Sequence, residues 1–326
     1  MTQASGIGSW PGTSVRDALA QVREVLDGQL PYLPELPQRG PGADMVGRTA
    51  GLLVELPVDL QPNGWRLVDR PGLDAARTAA LMREDLDELA EAFDGYTGPL
   101  KVQVAGPWTL AASLWLPRGE RALVDAGACR ELIDSLTEGV RLHVAAVRGL
   151  VPGAQVVLQV DEPSLTTVLA GRLPTVSGFG RLPAIDPQVA AAGLASVLAA
   201  HDGDTVIHTC SPNAPVPLLR AARPSALSLD IAQLTPRGWE GVAVALEDGL
   251  RLFAGIVPTD GSVTRAVDVA DRFVDAWTRV GMPLGSLSDV VVTPACGVAG
   301  APPQTARDLQ RAAVDAAAEL AERAAT

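Results

Sequence analysis

The sequence predicts an α/β fold in which eight strands alternate with helices in a single (β/α)8 TIM barrel, one catalytic domain over residues 1–326. Eight short candidate strands alternate with longer amphipathic stretches, and most of the eight are nearly continuous runs of Val, Ile, Leu and Ala. Such continuous apolar runs are typical of strands buried on both faces of a parallel sheet. Eight strand–helix units in succession favour a closed barrel over an open sheet.

The predicted elements follow one another along the whole chain. The strands are Ala4–Ser9, Leu30–Glu35, Leu100–Ala105, Gln155–Asp161, Thr205–Cys210, Ala226–Asp230, Leu252–Val257 and Val290–Thr293. Amphipathic periodicity predicts helices at Thr78–Phe93, Ala128–Gly149, Pro187–Ala200, Val263–Val280 and Pro303–Arg323. After the second strand, Gly51–Pro71 predicts a β-hairpin insertion with its turn at Asn63-Gly64.

Composition excludes several classes of function. The net charge is −12 and no basic cluster occurs along the chain, which argues against nucleic acid as a partner. No apolar run approaches the ~20 residues of a membrane span, and Met1–Gly12 lacks a secretory signal pattern, so we expect a cytoplasmic protein with no membrane partner. The three cysteines are too few for a disulfide scaffold and indicate reduced thiols.

Polar side chains cluster at the carboxyl ends of the predicted strands. They are Ser9, Glu35, Asp161, Glu162, His208, Cys210, Asp230, Asp260 and Cys296. Because barrels of this type carry their active sites at that end, we expect these side chains to surround one site.

His208, Cys210 and Cys296 predict a zinc site. His208 and Cys210 are two residues apart in a strand, so their side chains point the same way, and Cys296 follows a later strand. Imidazole and thiolate are the ligands that zinc prefers, and three protein ligands leave an open position. Asp230 can supply a fourth, displaced when substrate binds. A zinc of this kind keeps a substrate thiol deprotonated, which predicts transfer of a methyl group to a small thiol.

Each of these residues also has a purely structural interpretation. His208 fits a hydrogen-bonded core histidine, and the cysteines fit small buried hydrophobic residues. Asp161 and Glu162 fit a pair of helix-capping carboxylates after a strand. Glu35 fits a solvated loop charge, and Trp115 fits a packing residue.

Six short motifs occur in a specific order. They are Ile7–Pro11 (IGSWP), Pro34–Pro37 (PELP), Gly106–Thr109 (GPWT), Gln159–Pro163 (QVDEP), Ile207–Cys210 (IHTC) and Pro294–Gly297 (PACG). With them the chain resembles, over nearly its whole length, the C-terminal catalytic barrel of cobalamin-independent methionine synthase. We therefore expect a stand-alone core form that lacks the N-terminal half of that enzyme.

The resemblance implies a role for each matching residue. His208, Cys210 and Cys296 would bind zinc. Ile7, Ser9, Glu35 and Asp161 would hold the amino-acid part of homocysteine, with the two carboxylates pairing with its ammonium group. Glu162 would help to shape that pocket. The implied reaction is methylation of the homocysteine thiol to give methionine.

Three positions depart from the family pattern. Asp230 stands where the family has a glutamate ligand. The family also has a proton-handling histidine after the seventh strand, where this chain has Val257-Pro258-Thr259-Asp260, so Asp260 joins Asp161 as a candidate catalytic residue. Trp115 matches only loosely the family's tryptophan that stacks on the pterin of the methyl donor. It is the remaining candidate for substrate binding.

These departures leave the methyl donor open. Methyltetrahydrofolate, methylcobalamin and a methylated corrinoid protein are the candidates. The alternatives for the whole chain are a zinc methyltransferase acting on another thiol, as in the methyl–coenzyme M enzymes, and a metal-free enzyme of the uroporphyrinogen decarboxylase type. A non-catalytic protein that zinc stabilises, or an interaction protein, is the remaining alternative.

Overall fold

A curled, seven-stranded parallel sheet forms the centre of the protein in a computed structural model, which describes residues 2–262 and 265–326. The strands are β1 (Gln3–Ala4), β2 (Val58–Gln61), β3 (Gly64–Leu67), β4 (Pro99–Ala105), β5 (Gln155–Asp161), β6 (Thr205–Thr209), β7 (Ala226–Asp230), β8 (Arg251–Val257) and β9 (Val291–Pro294). The sheet order is β1-β9-β8-β7-β6-β5-β4, and β2 pairs with β3 alone. The predicted α/β class and the parallel sheet are confirmed.

The helices lie between the strands, as the periodicity predicts. They are α1 (Val15–Val25), α2 (Met45–Ala50), α3 (Leu73–Ala92), α4 (Pro107–Ser113), α5 (Ala126–Leu150), α6 (Leu165–Leu169), α7 (Pro187–Leu198), α8 (Val216–Ala221), α9 (Pro236–Glu247), α10 (Ala266–Arg279) and α11 (Pro303–Ala324). Short 3-10 helices occur at Pro37–Arg39, Ala122–Val124, Ile231–Gln233 and Leu284–Asp289. The predicted start of the tenth helix at 263 lies outside the described residues. No described helix is long and apolar enough to cross a membrane.

The predicted second strand, Leu30–Glu35, is an irregular extended segment that bonds to both outer strands of the sheet. The Leu30 amide donates to the Ala4 carbonyl at 3.0 Å, and the Leu33 amide donates to the Lys101 carbonyl at 3.0 Å. Two of its six residues are prolines, which lack an amide hydrogen and interrupt the ladder. The segment therefore spans the space between β1 and β4 without forming a regular strand.

The first strand is shorter than predicted. Only Gln3–Ala4 pairs regularly with β9, and the rest of Ala4–Ser9 is held by isolated backbone bonds, such as that from the Glu35 amide to the Gly8 carbonyl at 3.0 Å, and by side-chain bonds. The Ser5 hydroxyl donates to the Leu30 carbonyl at 2.8 Å. This leaves residues 5–9 as an extended loop that runs toward the carboxyl ends of the strands.

The predicted hairpin insertion is present as β2 and β3. Gln61 pairs with Gly64, so the two turn residues are Pro62 and Asn63. The predicted turn at Asn63-Gly64 was wrong by one residue, because Pro62 has the fixed φ that suits the first turn position. Gly64 follows the turn with a φ of +116°, which favours glycine.

Apolar and polar side chains occupy different levels inside the sheet. Toward the amino ends of the strands, an apolar cluster consists of Leu30, Val157, Val206, Ala226, Phe253 and Val291. Nearer the carboxyl ends, buried polar side chains follow: Lys101, Gln103, Gln159, Asp161, His208 and Ser228. The apolar level fills the interior of the sheet at the amino ends of its strands. The polar level forms the base of the candidate site at the carboxyl ends.

Candidate active site

A cavity of about 280 Å³ lies at the carboxyl ends of the strands. Its lining includes seven of the predicted site residues: Ile7, Ser9, Glu35, Asp161, His208, Cys210 and Cys296. Sequence reasoning missed four others: Pro37, Met45, Pro163 and Gly297. The predicted thiol-activating residues and the predicted ammonium-binding residues therefore share one cavity.

Cys210 and Cys296 meet at the wall of this cavity. Their Sγ atoms lie 3.3 Å apart and share a hydrogen bond. That bond lowers the pKa of the Cys296 thiol, and the Gly297 amide adds to the effect against the opposing effect of burial. The same bond, together with burial, raises the pKa of Cys210. One sulfur of the pair is thus stabilised as a thiolate and the other as a thiol.

His208 is buried beside the two cysteines. Its Nδ1 lies 2.9 Å from the hydroxyl oxygen of Ser228, the residue that pairs with it on β7. Burial lowers the pKa of His208 to about 3, so the imidazole is neutral. When Nδ1 donates its hydrogen to the hydroxyl oxygen, Nε2 keeps a lone pair that can bind a metal.

These side chains form a donor set that suits zinc. A tetrahedral zinc with Zn–S bonds of about 2.3 Å holds two sulfurs about 3.8 Å apart. Cys210 and Cys296 would separate by about half an ångström to reach that distance. Among the described residues, no three His, Cys, Asp or Glu side chains converge on one metal position as they stand. The three side chains would therefore have to move before they could hold a metal together.

Two buried carboxylates face the same cavity. Glu35 is 3% exposed, and its Oε1 has no hydrogen-bond partner. Asp161 is 5% exposed, and its Oδ1 accepts a hydrogen bond from Gln159 Nε2 at 2.7 Å. Burial raises the pKa of both carboxyl groups. A buried carboxylate oxygen without a partner is a favourable binding position for an ammonium group.

The sequence matches the family described as cobalamin-independent synthase, catalytic domain, over residues 1–319. The chain belongs to this family. No curated relative matches at the sequence level. The expected resemblance to cobalamin-independent methionine synthase is confirmed, and the family supports a methyltransferase.

One solved structure shows the same fold. A B12-independent methionine synthase from Shewanella sp. W3-18-1, in complex with selenomethionine, has a TM-score of 0.68 at 14% identity, covering 99% of this chain and 98% of that one. A putative dihydrodipicolinate synthetase from Pseudomonas aeruginosa has a TM-score of 0.44 at 11% identity, covering 100% of this chain and 80% of that one.

Glu162, predicted to shape the substrate pocket, lies outside the lining of the cavity. Its carboxylate accepts hydrogen bonds from the amides of Trp108 and Thr109, each at 2.9 Å, and from the Thr109 hydroxyl at 2.6 Å. Glu162 therefore caps the first turn of α4, and any effect on the pocket is indirect. These contacts agree with the alternative prediction that Glu162 is a helix-capping carboxylate.

Asp230, predicted as the fourth zinc ligand, lies at the end of β7 outside the cavity lining. Its Oδ1 accepts a hydrogen bond from the Ala232 amide at 3.0 Å and caps the following 3-10 helix. Its negative charge opposes ionisation of Cys296 and raises the pKa of that thiol. Asp230 is near the thiol site without contacting it.

Trp115 and Asp260 are also outside the cavity. The Trp115 indole donates to the Asn63 carbonyl at 2.7 Å, and the Arg121 guanidinium lies 5.1 Å from its ring centroid. These contacts hold the hairpin insertion against the loop after α4. Asp260 is exposed and accepts a hydrogen bond from the Ser262 amide at 2.9 Å.

Three buried polar residues behind the cavity were not predicted. They are Lys101, Gln103 and Gln159, which stand at alternate positions in otherwise apolar strands. Alternation places Lys101 and Gln103 on one side of β4, and Gln159 and Asp161 on one side of β5. The sequence feature that could have predicted them is a pair of polar residues two positions apart within a buried strand.

Proposed function

We propose that this protein methylates the thiol of homocysteine to form methionine at a zinc ion held by His208, Cys210 and Cys296. The observation that carries the proposal is that both residue sets line one cavity: the sulfur pair with His208, and the carboxylates Glu35 and Asp161. Homocysteine carries a thiol at one end and an ammonium group at the other, so it presents the complementary groups to both.

The thiol end of the substrate would lie at the sulfur pair. A zinc bound there would keep the substrate thiol ionised at neutral pH and so make it nucleophilic. The neutral imidazole of His208 and the ionised Cys296 are in the protonation states that metal binding requires. Asp230 would complete the coordination after turning away from the Ala232 amide.

The amino-acid end would lie at the two carboxylates of the cavity. The free Oε1 of Glu35 and the carboxylate of Asp161 would accept hydrogen bonds from the substrate ammonium group. Ile7 and Ser9 would contact the rest of the amino-acid portion from the loop after β1. Binding at both ends fixes the sulfur for attack on the methyl donor.

A folate-type methyl donor fits the family, whose members act without cobalamin. The corrinoid protein expected as a possible partner has no support from the family. Trp115 and Asp260 would act in donor binding and proton transfer only after loop movements, since both lie outside the cavity. We also propose that Leu30–Glu35 serves as the eighth strand of a closed (β/α)8 barrel, because it bonds to both β1 and β4.

The proposal is tested by a donor screen with zinc-loaded protein and L-homocysteine. Methyltetrahydrofolate, methylcobalamin and a methylated corrinoid protein are supplied separately, and methionine is measured by mass spectrometry. Methionine formation that is lost on Cys296→Ser supports the proposal, and the productive donor identifies the donor class. No methionine with any donor, from folded protein that binds zinc, would overturn it.

A further inference from the structure

Lys101 is the only lysine in a chain that contains 26 lysine and arginine residues. It lies in the middle of β4, and its side chain is completely buried. A lysine in such a position is rare unless its ammonium group is paired, because an unpaired buried charge is strongly unfavourable. Its contacts therefore indicate what it does.

The Lys101 ammonium group supports the loop that lines the cavity. Its Nζ donates to the Ile7 carbonyl at 2.8 Å and lies 5.1 Å from the centroid of the Tyr32 ring. Gln159 Nε2 donates to the same carbonyl at 2.8 Å and to Asp161 at 2.7 Å. The Ile7 carbonyl thus receives two donors from behind the cavity, and one of them also holds Asp161.

Lys101 also balances charge in the site. Its ammonium group is attracted by both Asp161 and Glu35. Arg48, another buried cation, is ion-paired with Asp85 and also attracts Glu35. Among the buried side chains that the structure describes, Lys101 is the cation attracted by both carboxylates of the cavity.

We infer that Lys101 is a positioning and specificity-determining residue for the amino-acid end of the substrate. It holds the Ile7 loop in place and balances one of the two carboxylates, which leaves the other for a single substrate ammonium group. The inference rests on the proposed function. Arginine does not replace it, since a planar guanidinium fork is larger than the compact ammonium group.

The first test uses the wild-type sequence and needs no substitution. Protein labelled with ¹³C at lysine Cε gives one lysine signal by NMR. We expect this signal in the zinc-loaded enzyme to shift on saturation with L-methionine and to stay in place with 4-(methylthio)butyrate, which lacks the amino group. Binding of L-methionine, verified by calorimetry, with no shift of the lysine signal would overturn the inference.

The second test separates binding from turnover. In Lys101→Met and Lys101→Arg, we expect KM for L-homocysteine to rise about tenfold or more while kcat stays within about threefold. KM for 4-mercaptobutyrate, the same thiol without the amino group, should change by less than about threefold. Arg251→Met, which removes a half-exposed cation paired with Asp204, is the control and should match the wild type.

The outcomes distinguish this inference from the proposed function. Wild-type KM for L-homocysteine in Lys101→Met, in an enzyme that makes methionine, overturns the inference alone. Absence of both turnover and L-methionine binding in the wild type overturns the proposed function as well. If Lys101→Met does not fold, the NMR experiment on the labelled wild-type protein tests the inference by itself.

Discussion

Cys210 and Cys296 place their Sγ atoms 3.3 Å apart although 86 residues separate them along the chain. They follow β6 and β9, and two further strands, β7 and β8, lie between these in the sheet. In a flat sheet, strands three positions apart would be about 14 Å from each other. The contact between the sulfurs therefore depends on the curl of the sheet, which brings the ends of distant strands together.

The sulfur pair predicts an unequal reactivity of the three cysteines in metal-free protein. The hydrogen bond from Cys210 lowers the pKa of Cys296, so its thiolate is present above that lowered pKa and is lost as the pH falls through it. Burial raises the pKa of Cys129 to about 11, so this thiol stays protonated at neutral pH. We expect iodoacetamide to alkylate Cys296 first, with a midpoint well below the ordinary cysteine pKa of about 8.5.

Peptide mass spectrometry across a pH series measures this alkylation. Cys129 serves as the internal control, because it should remain unmodified near pH 7. A Cys296 midpoint at or above that of free cysteine would show that the hydrogen bond does not favour its thiolate.

Zinc binding should depend on two of the three cysteines. Elemental analysis of the wild type is expected to give about one zinc per chain, and Cys210→Ser or Cys296→Ser should give less than about half of that. Cys129→Ser is the matched control, since Cys129 bonds to the Ala122 carbonyl away from the cavity. Equal zinc content in all four proteins would rule out the sulfur pair as the metal site.

The two cavity carboxylates should control binding of homocysteine. Glu35→Gln and Asp161→Asn each replace a charged acceptor by a neutral amide, which weakens its pairing with an ammonium group. We expect KM for L-homocysteine to rise by about tenfold to a hundredfold in each variant. Steady-state kinetics measure this, with Glu138→Gln as the control because Glu138 is paired with Arg141 on the surface. An unchanged KM in both variants would place the ammonium site elsewhere.

Glu162 should matter for stability. Glu162→Ala leaves the amides of Trp108 and Thr109 without their buried acceptor, so we expect a loss of about 2–4 kcal/mol in the free energy of unfolding. Glu162→Gln keeps one acceptor oxygen and should lose less. Urea denaturation measures both variants.

An exposed cap provides the comparison for Glu162. Asp125 accepts hydrogen bonds from two amides at the start of α5 on the surface, so Asp125→Ala should cost only about 1 kcal/mol. A loss for Glu162→Ala no larger than that for Asp125→Ala would mean that burial adds nothing to this cap.

Local patterns in the sequence determined the type of most elements. Gln155–Asp161 and Ala226–Asp230 form strands with the predicted boundaries, because a continuous apolar run reports burial on both faces directly. Leu30–Glu35 has a weaker apolar pattern, and its two prolines prevent regular pairing. The hairpin turn lies one residue before its predicted position for a related reason. Pro62 occupies the first turn position, which suits its fixed φ, and Gly64 follows the turn.

The residues that line the cavity were also largely predictable. His208 and Cys210 are two residues apart at the end of β6, so they point the same way. Asp161 ends β5 and Cys296 follows β9, and parallel topology gathers these strand ends at one edge together with Glu35, the last residue of the extended segment. This placement requires only the order of strands, which the sequence contains. It does not specify which of the neighbouring polar residues turn into the cavity.

The tertiary structure decided the roles of the remaining residues. Glu162 is next to Asp161 in sequence but points to the opposite side of the strand end, where the amides of α4 satisfy it. Asp230 and Trp115 likewise bond to backbone groups of a following turn and of the distant hairpin. The physical reason is that a polar side chain takes the nearest unsatisfied partner, and packing of distant segments determines which partner is near.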